Sequence, residues 1–393
     1  QRPMCIRDRF VEAMKRQKQG IDILKLNTGN PATFGFGLPD SIKNALMEHM
    51  QDGVGYCDFK GMPQARQAIC DYETSKGIKG ITPDDVFIGN GVSEVVSFAL
   101  TPLLNDGDEV LVPSPSYSLW GNSVYLEDGK PVFYTCDEQA NWYPDIQDIR
   151  SKITDKTKAI VIINPNNPTG VLYPKEILLE IIQVAREFGL LIFADEIYDR
   201  LVMDGKQHIS LASLTEDVPV ITLNGLSKSH CLCGYRCGWM VISGPRELTE
   251  DYRQGIIQLT SLRLCANTMA QIVIPAALDD METPASMVRP GGRIYEQREA
   301  TVRELEKIDG LSFVKNDAAF YIFPKLNVKK FNITNDKQFA HDLLDATNIL
   351  LVPGSGFDWK DPDHFRIVML PQADILSDAI RRMGTFLDGY KQK

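Results

Sequence analysis

The sequence lacks any apolar stretch long enough to form a membrane-spanning helix. Such a helix needs about 20 consecutive apolar residues, whereas the apolar runs here are short, as at 159–163 and 190–194. The N-terminal region also lacks the basic and then apolar pattern of an export signal. We therefore predict a cytoplasmic protein that does not contact a membrane.

Positive charge is in deficit. Lys and Arg total 42 and Asp and Glu total 52, which gives a formal net charge of −10. A protein that binds nucleic acid through its phosphates needs an excess of positive charge on one face, so we predict that nucleic acid is not a partner. The total charge does not exclude a small basic pocket for an anionic ligand.

Cysteine and histidine are too sparse and too irregularly spaced to indicate disulfides or a metal site. The chain has 8 Cys and 5 His, and a protein of this length can bury a core without cross-links. His230, Cys231, Cys233 and Cys237 are close in sequence, but they lack the paired C-x-x-C spacing of a zinc site. We interpret the cysteines as free thiols and predict no metal.

Short strands alternate with helical patterns through most of the chain. Residues 159–163 and 190–194 are apolar runs typical of buried strands, and the residues between them have apolar positions three and four apart. This intervening helix would start at Pro174 and stop at Gly189. Another helix is predicted over Val92–Leu104. The β-α-β order predicts an α/β fold with a mostly parallel central sheet that helices cover on both faces.

The pattern changes near residue 285. A long charged helix is predicted from Arg293, and short strands at 320–323 and 365–369 follow it. A chain of 393 residues is expected to form about two to three domains. We predict two domains: a large domain over residues 35–285, and a smaller α+β domain built from residues 10–34 and 286–393.

Polar segments follow four of the predicted strands, and ligands of open α/β sheets bind at the carboxyl ends of the strands. Residues 89–94 join a strand to a helix, where free backbone N–H groups bind phosphate; a plain strand–helix turn is the alternative. Residues 164–170 contain two Asn-Pro pairs, which indicate a rigid loop. Neither segment is specific by itself.

The other two strand ends carry charged residues. Asp195 directly follows a buried strand, where a carboxylate needs a cationic partner or serves as a helix N-cap. Lys228 follows the strand 220–224, and a partly desolvated lysine there can lose its proton and attack a carbonyl. Arg236, between two glycines, could bind a phosphate. If Lys228 and Arg236 are considered separately, the alternative is that each is an ordinary surface residue.

Together, these segments contain the groups that pyridoxal 5′-phosphate requires: a nucleophilic lysine, an aspartate, a tyrosine, an asparagine, an arginine and a phosphate-binding helix start. The motifs Asn224–Lys228, Asp195–Tyr198 and Asn164–Gly170 resemble those of the class I pyridoxal-phosphate-dependent aminotransferases. The resemblance runs from about Leu24 to Tyr390. It implies the fold type I architecture and this cofactor.

The resemblance implies a role for each residue around the cofactor ring. Lys228 would form the Schiff base with the cofactor aldehyde, and its free amine would later move the proton between the substrate Cα and the cofactor. Asp195 would pair with the ring nitrogen. Tyr198 and Asn167 would hydrogen-bond the 3-oxygen of the ring, and Tyr117 would stack on its face.

Phosphate ligands are also implied. Gly91, Val92 and Ser93 would bind the phosphate through the helix start, Arg236 would neutralise it, and Ser227 would lie beside it. Many relatives carry Ser or Thr three residues before the lysine, where this chain has Gly225. Loss of a charge-assisted hydrogen bond, which contributes about 1.5–3 kcal/mol, would weaken cofactor binding without abolishing it.

The remaining implied residues meet the substrate or a partner subunit. Arg366 and Asn167 would bind the substrate, with Arg366 clamping its α-carboxylate, and Gly29 would lie in the N-terminal loop that closes over it. Tyr56 would reach the phosphate of the neighbouring subunit's cofactor. The resemblance thus implies a homodimer with shared active sites.

Within the family, the chain is most similar to the bacterial alanine (glutamate–pyruvate) aminotransferases. This similarity implies interconversion of L-alanine plus 2-oxoglutarate and pyruvate plus L-glutamate by a ping-pong route. Arg263 is a candidate for binding the distal carboxylate of glutamate, with a structural role as an equal alternative. Two other classes stay open: another enzyme on this scaffold, such as an aspartate or aromatic aminotransferase or a C–S β-lyase, and a non-catalytic ligand-binding module.

Overall fold

The computed structural model describes residues 5–393; the first four residues, on which part of the export-signal interpretation rests, lie outside this range. The described strands are β1 (Leu24–Lys25), β2 (Val86–Gly89), β3 (Glu109–Ser114), β4 (Lys130–Asp137), β5 (Tyr143–Pro144), β6 (Thr157–Ile163), β7 (Leu191–Asp195), β8 (Val220–Gly225), β9 (Gly238–Ser243), β10 (Leu311–Ser312), β11 (Tyr321–Ile322), β12 (Lys325–Leu326), β13 (Ile349–Leu350), β14 (Val352–Pro353) and β15 (Phe365–Val368).

Helices separate most of these strands. They are α1 (Cys5–Lys18), α2 (Asp40–His49), α3 (Pro63–Ser75), α4 (Val92–Leu100), α5 (Leu119–Leu126), α6 (Ile146–Lys152), α7 (Lys175–Phe188), α8 (Leu226–Ser229), α9 (Arg246–Arg263), α10 (Thr268–Ile272), α11 (Ile274–Asp279), α12 (Glu282–Val288), α13 (Arg293–Leu305), α14 (Val328–Phe331), α15 (Asp336–Thr347) and α16 (Ala373–Leu387). Among the described residues, no helix is both long and apolar enough to span a membrane.

The largest sheet has eight strands in the order β2-β9-β8-β7-β6-β3-β4-β5. The five strands from β8 to β4 are parallel to one another, whereas β9 runs antiparallel to both β2 and β8, and β5 runs antiparallel to β4. The prediction of a mostly parallel sheet is therefore confirmed. Because these strands are parallel, Ser114, Ile163, Asp195 and Gly225 end at the same edge.

Both faces of this sheet are buried, as its uninterrupted apolar strands predict. Side chains alternate along β6: Ile160 and Ile162 belong to one core cluster, whereas Val161 and Ile163 belong to the cluster on the other face. Helix α7 contributes its apolar stripe to the first cluster, and Gly189 ends that helix in the left-handed conformation, with φ +66°. The sheet edge is thereby fixed between two packed layers.

The predicted helix over Val92–Leu104 is shorter than expected. It ends at Leu100 and turns follow it to Leu103. Pro102 explains the difference, because proline lacks the N–H that would continue the helical hydrogen bonds.

A separate apolar core surrounds the three-stranded antiparallel sheet β11-β15-β14. Helices α15 and α16 cover it, and Leu26 joins it from the N-terminal part of the chain. This second core supports our proposal of a smaller domain built from both chain ends, with boundaries at residues 10–34 and 286–393. The division itself stays a prediction.

Candidate active site

A cavity of about 290 Å³ lies at the carboxyl edge of the parallel strands. Its size suits a small-molecule ligand. It brings together eleven of the thirteen residues that were predicted for the site: Gly29, Val92, Ser93, Tyr117, Asn167, Asp195, Tyr198, Ser227, Lys228, Arg236 and Arg366.

The two other predicted residues lie outside the cavity lining. Gly91 is the N-cap of α4 with φ +85°, and a Cβ there would come within 2.4 Å of the Arg236 guanidinium, so only glycine fits this position. Tyr56 is 85% exposed and lies on the surface of its own chain. Its contact with a neighbouring subunit's cofactor stays a prediction.

The start of α4 provides the anion-binding end of the cavity. Val92 and Ser93 occupy the first turn, where backbone N–H groups have no intrahelical partner and the helix dipole favours negative charge. A Cβ on Gly238 would come within 2.4 Å of the Val92 nitrogen, so a glycine in β9 lets the strand approach this turn. With Arg236 beside Gly91, this end fits a phosphate.

Gly225, where the resemblance leads us to expect Ser or Thr, lies where two strands approach closely. A Cβ at this position would come within 2.5 Å of the Cys237 carbonyl oxygen and 3.0 Å of the Gly238 Cα. Strands β8 and β9 are therefore too close for a hydroxyl side chain here. Ser227 is the serine of this segment that lines the cavity.

Asp195 provides a buried carboxylate at the end of β7. Its Oδ2 accepts a hydrogen bond from Trp120 Nε1 at 3.0 Å, and its Oδ1 accepts one from the Ile197 backbone N–H at 3.4 Å. Turns, and not a helix, follow Asp195, so the N-cap alternative is wrong. Burial raises the pKa of Asp195 to about 6. A cationic N–H from a ligand ring would offset this cost of burial.

We expect Asp195→Asn to stabilise the cofactor-free protein at neutral pH. A pKa of about 6 against the usual 3.8 corresponds to a penalty of about 3 kcal/mol on the ionised carboxylate in the folded state. Because the folded-state pKa is raised, the penalty is absent below about pH 4, grows as the pH rises from about 4 to about 6, and is complete above about 6. Thermal unfolding should show a higher melting temperature for the variant at about pH 8 and not at about pH 4; an equal difference at both pH values would contradict this cause.

Lys228 extends from α8 into the cavity. Its Nζ donates to the Gly29 carbonyl at 3.0 Å and lies 3.9 Å from Cys233 Sγ. Burial alone would lower the pKa of Lys228, but the phenol of Tyr321 and the thiol of Cys233 oppose it, and the pKa is raised. Our expectation that desolvation frees the amine is therefore wrong for the cofactor-free site, where the ammonium is held by Gly29.

Arg366 forms the opposite end of the cavity. Its Nη1 donates to Asn167 Oδ1 at 2.9 Å and its Nη2 donates to the Asn27 carbonyl at 2.5 Å. Its buried Nε has no hydrogen-bond partner among the described residues. The guanidinium also lies over the rings of Tyr321 and Phe357, at 4.5 and 4.7 Å from their centroids. A buried arginine with an unused donor fits a carboxylate ligand.

Tyr321 and Trp120 contribute to the site and were not predicted from the sequence. Tyr321 lines the cavity with its hydroxyl 2.9 Å from that of Tyr198, and Trp120 holds Asp195. The pattern at 320–323 predicted only a strand, and the position of Trp120 near Asp195 depends on how β3, α5 and β7 pack. No local motif marks either residue.

Arg263 makes structural contacts within its own chain. Its Nη1 donates to Glu94 Oε2 at 2.6 Å, and its Nη2 donates to the carbonyls of Phe59 and Ile88 at 3.1 and 3.2 Å. The side chain lies outside the cavity. These contacts support the structural alternative for Arg263, and its role in binding a distal carboxylate stays a prediction.

One buried group of acidic residues and a histidine resembles a metal site but already holds a cation. The ligand atoms of Glu196, Asp199 and His208 lie within 4.8 Å of one another. Lys76 Nζ lies 2.8 Å from Glu196 Oε2 and 3.2 Å from Asp199 Oδ2. The ammonium thus occupies the position that a metal ion would need.

The cavity residues fit the expected cofactor. A phosphate fits at α4, a protonated ring nitrogen at Asp195 and an aldehyde carbon at Lys228, while Arg366 remains for the carboxylate of a substrate. All four groups line a single cavity, as the predicted chemistry requires.

Known proteins match the chain over nearly its whole length. The family model for aminotransferases of class I and II matches residues 21–380. The glutamate–pyruvate aminotransferase AlaA of Haemophilus influenzae is 50% identical, with 97% of this chain and 94% of that protein covered. The crystal structure of an aminotransferase from Escherichia coli superposes with a TM-score of 0.96 at 46% identity, covering 100% of this chain and 96% of the other. An alanine aminotransferase from Pyrococcus furiosus gives a TM-score of 0.92 at 41% identity, covering 98% and 97%.

Proposed function

Because the chain belongs to the aminotransferases of class I and II, we propose that it interconverts L-alanine plus 2-oxoglutarate and pyruvate plus L-glutamate. The observation that carries this proposal is the placement of Lys228, Asp195 and Arg366 around one cavity. The names of the Haemophilus and Pyrococcus relatives support alanine as a substrate.

The cofactor is pyridoxal 5′-phosphate. When it is bound, it supplies an electron-withdrawing ring that makes the substrate Cα proton acidic and a carbon that carries the amino group between the two half-reactions. The first turn of α4 and Arg236 would hold its phosphate, Asp195 its ring nitrogen, and Tyr198 and Asn167 its 3-oxygen.

The protein's own groups position the substrate and move its proton. Arg366 binds the α-carboxylate, with Asn167 holding the guanidinium in place. Lys228 Nζ then takes the proton from the substrate Cα as a general base. A free, unprotonated amine is needed for this step, so the Lys228 ammonium must first lose its proton and its hydrogen bond to the Gly29 carbonyl.

A purified-enzyme assay tests the proposal. With L-alanine and 2-oxoglutarate, pyruvate formation should greatly exceed the rate at which aspartate or tyrosine donates its amino group. A faster rate with aspartate or tyrosine would overturn the alanine assignment and leave the aminotransferase class. Release of ammonia and pyruvate from a cysteine conjugate as the main reaction would indicate a β-lyase instead.

We also propose a homodimer with shared sites. Tyr56 is exposed, and the exposed apolar side chains of Met50 and Val54 in the same segment support an interface there. A mixture of Tyr56→Ala and Lys228→Ala subunits would then contain hybrids in which one site has both native residues. Titration with cofactor should reveal a tight-binding, active site in the mixture that neither variant has alone; its absence would contradict shared sites.

A cytoplasmic location is part of the same proposal. The seven cysteines from Cys57 to Cys265 are all free thiols, and thiols persist in a reducing compartment.

A further inference from the structure

The structure assigns to Tyr321 the role of a positioning residue that connects the ring-facing hydroxyl of Tyr198 to the carboxylate-binding guanidinium of Arg366. This inference rests on the proposed transaminase function and adds a residue to it. Tyr321 is buried, lines the cavity and is part of neither the phosphate-binding helix start nor the lysine segment.

Strand pairing brings Tyr321 beside Arg366. Strands β11 and β15 are antiparallel, with Tyr321 opposite Val368. Arg366 is two residues before Val368, so it is the diagonal neighbour of Tyr321 on the same face of the sheet. The guanidinium lies over the tyrosine ring, 4.5 Å from its centroid. This geometry gives a cation–π contact that holds the guanidinium in a water-poor site.

The hydroxyl of Tyr321 contacts the other functional end of the cavity. The two hydroxyl oxygens of Tyr321 and Tyr198 are 2.9 Å apart and both side chains are buried. Here the Tyr198 hydroxyl donates to that of Tyr321. If Tyr198 instead donated its proton to the 3-oxygen of the cofactor ring, its own oxygen would be free to accept from Tyr321. Hydrogen bonds in such a chain polarise one another, so donation by Tyr321 would make Tyr198 the stronger donor.

The N-terminal loop has a glycine, Gly29, at the point where it passes the Tyr321 hydroxyl. A Cβ on Gly29 would lie 2.2 Å from the Tyr321 hydroxyl oxygen. The same glycine accepts the hydrogen bond from Lys228 Nζ through its carbonyl. The N-terminal loop is therefore shaped around Tyr321 as well as around the lysine.

The charged and titratable groups that face the two hydroxyls belong to four secondary-structure elements and one turn. They are Arg366 on β15, Lys228 on α8, Asp195 on β7, and the tyrosines themselves on β11 and in the turn after β7. Arg366 keeps its charge across the accessible pH range. The charge of Arg366 therefore stays constant while a variant that lacks the Tyr321 hydroxyl is titrated.

Three variants separate the two contacts of Tyr321. Tyr321→Phe removes the hydroxyl and keeps the ring under Arg366. Phe357→Leu removes the other ring over Arg366 and leaves the two hydroxyls intact. Tyr321→Leu removes both contacts. Each variant is purified with pyridoxal phosphate, and its folding is checked by thermal unfolding.

Two readouts report the contacts independently. The first is the pKa of the visible chromophore that the cofactor forms with Lys228, obtained by absorbance titration without substrate. We expect Tyr321→Phe to raise it by about 0.3–1 pH unit, because a weaker donor at Tyr198 stabilises the ring oxyanion less. The second is KM for alanine, which this variant should leave within about twofold of the wild-type value.

Loss of an aromatic ring that lies over Arg366 should change KM for alanine and leave the chromophore pKa unchanged. We expect Phe357→Leu to raise KM by about 5- to 30-fold with an unchanged chromophore pKa, and Tyr321→Leu to change both quantities. An unchanged chromophore pKa in Tyr321→Phe, or an equal rise of KM in Tyr321→Phe and Tyr321→Leu, would overturn the inference. If the wild-type enzyme does not transaminate alanine, the proposed function fails, whereas the chromophore titration still decides the role of the hydroxyl.

Discussion

Lys228→Ala is expected to lower transamination of alanine by about 10⁴-fold or more. The substitution removes both the nucleophile that attaches the cofactor and the general base at the substrate Cα, and general acid–base catalysis alone contributes about 10²- to 10⁴-fold. Initial rates of pyruvate formation with saturating cofactor would measure the loss.

The matched control is another lysine. Lys79 is exposed on the surface, where it pairs with Glu216, so Lys79→Ala should keep the wild-type rate. A small primary amine added to Lys228→Ala should restore part of the activity if the missing group is a base. Transamination by Lys228→Ala at more than a tenth of the wild-type rate would exclude the role of Lys228.

The second large effect is expected at the carboxylate end of the cavity. Arg366→Leu should lower kcat/KM for alanine by about 10²- to 10³-fold, since loss of one partner of a buried charge pair costs about 3–4 kcal/mol. Arg366→Lys should recover only part of the loss, because an ammonium cannot donate two parallel hydrogen bonds to a carboxylate.

A substrate without a carboxylate provides the control for this effect. Ethylamine has the methyl group and amine of alanine, so its slow reaction should be nearly the same in wild-type and Arg366→Leu enzyme. The visible chromophore should also form in the variant, because Lys228 is intact. Equal losses with alanine and ethylamine would show that Arg366 acts on folding or on the cofactor instead of on the substrate carboxylate.

Most of the site could be predicted because its residues follow strands directly. Asp195 is the last residue of β7, and Lys228 lies shortly after the end of β8. Because these two strands are parallel, their ends lie at the same edge of the sheet. The apolar pattern of α7 and its terminal glycine likewise predict that helix from local sequence. For these features, local pattern and tertiary position agree.

The features that could not be predicted depend on contacts between distant segments. Tyr321 meets Tyr198 across 123 positions of sequence, and Trp120 meets Asp195 across 75. The pKa of Lys228 is raised by the phenol of Tyr321, a contact that sequence spacing does not reveal, together with the thiol of Cys233 five residues after the lysine. Arg263 likewise makes structural contacts, since Glu94 and two carbonyls surround it.

The most direct test of the account is a single half-reaction. The enzyme loaded with pyridoxal phosphate is mixed with L-alanine in the absence of any 2-oxo acid, and pyruvate, ammonia and the absorbance of the cofactor are followed together. The account predicts about one pyruvate per subunit, no ammonia, and conversion of the visible chromophore to the amine form of the cofactor, which 2-oxoglutarate then reverses. Continuous pyruvate formation with release of ammonia, or no pyruvate until 2-oxoglutarate is added, would contradict it.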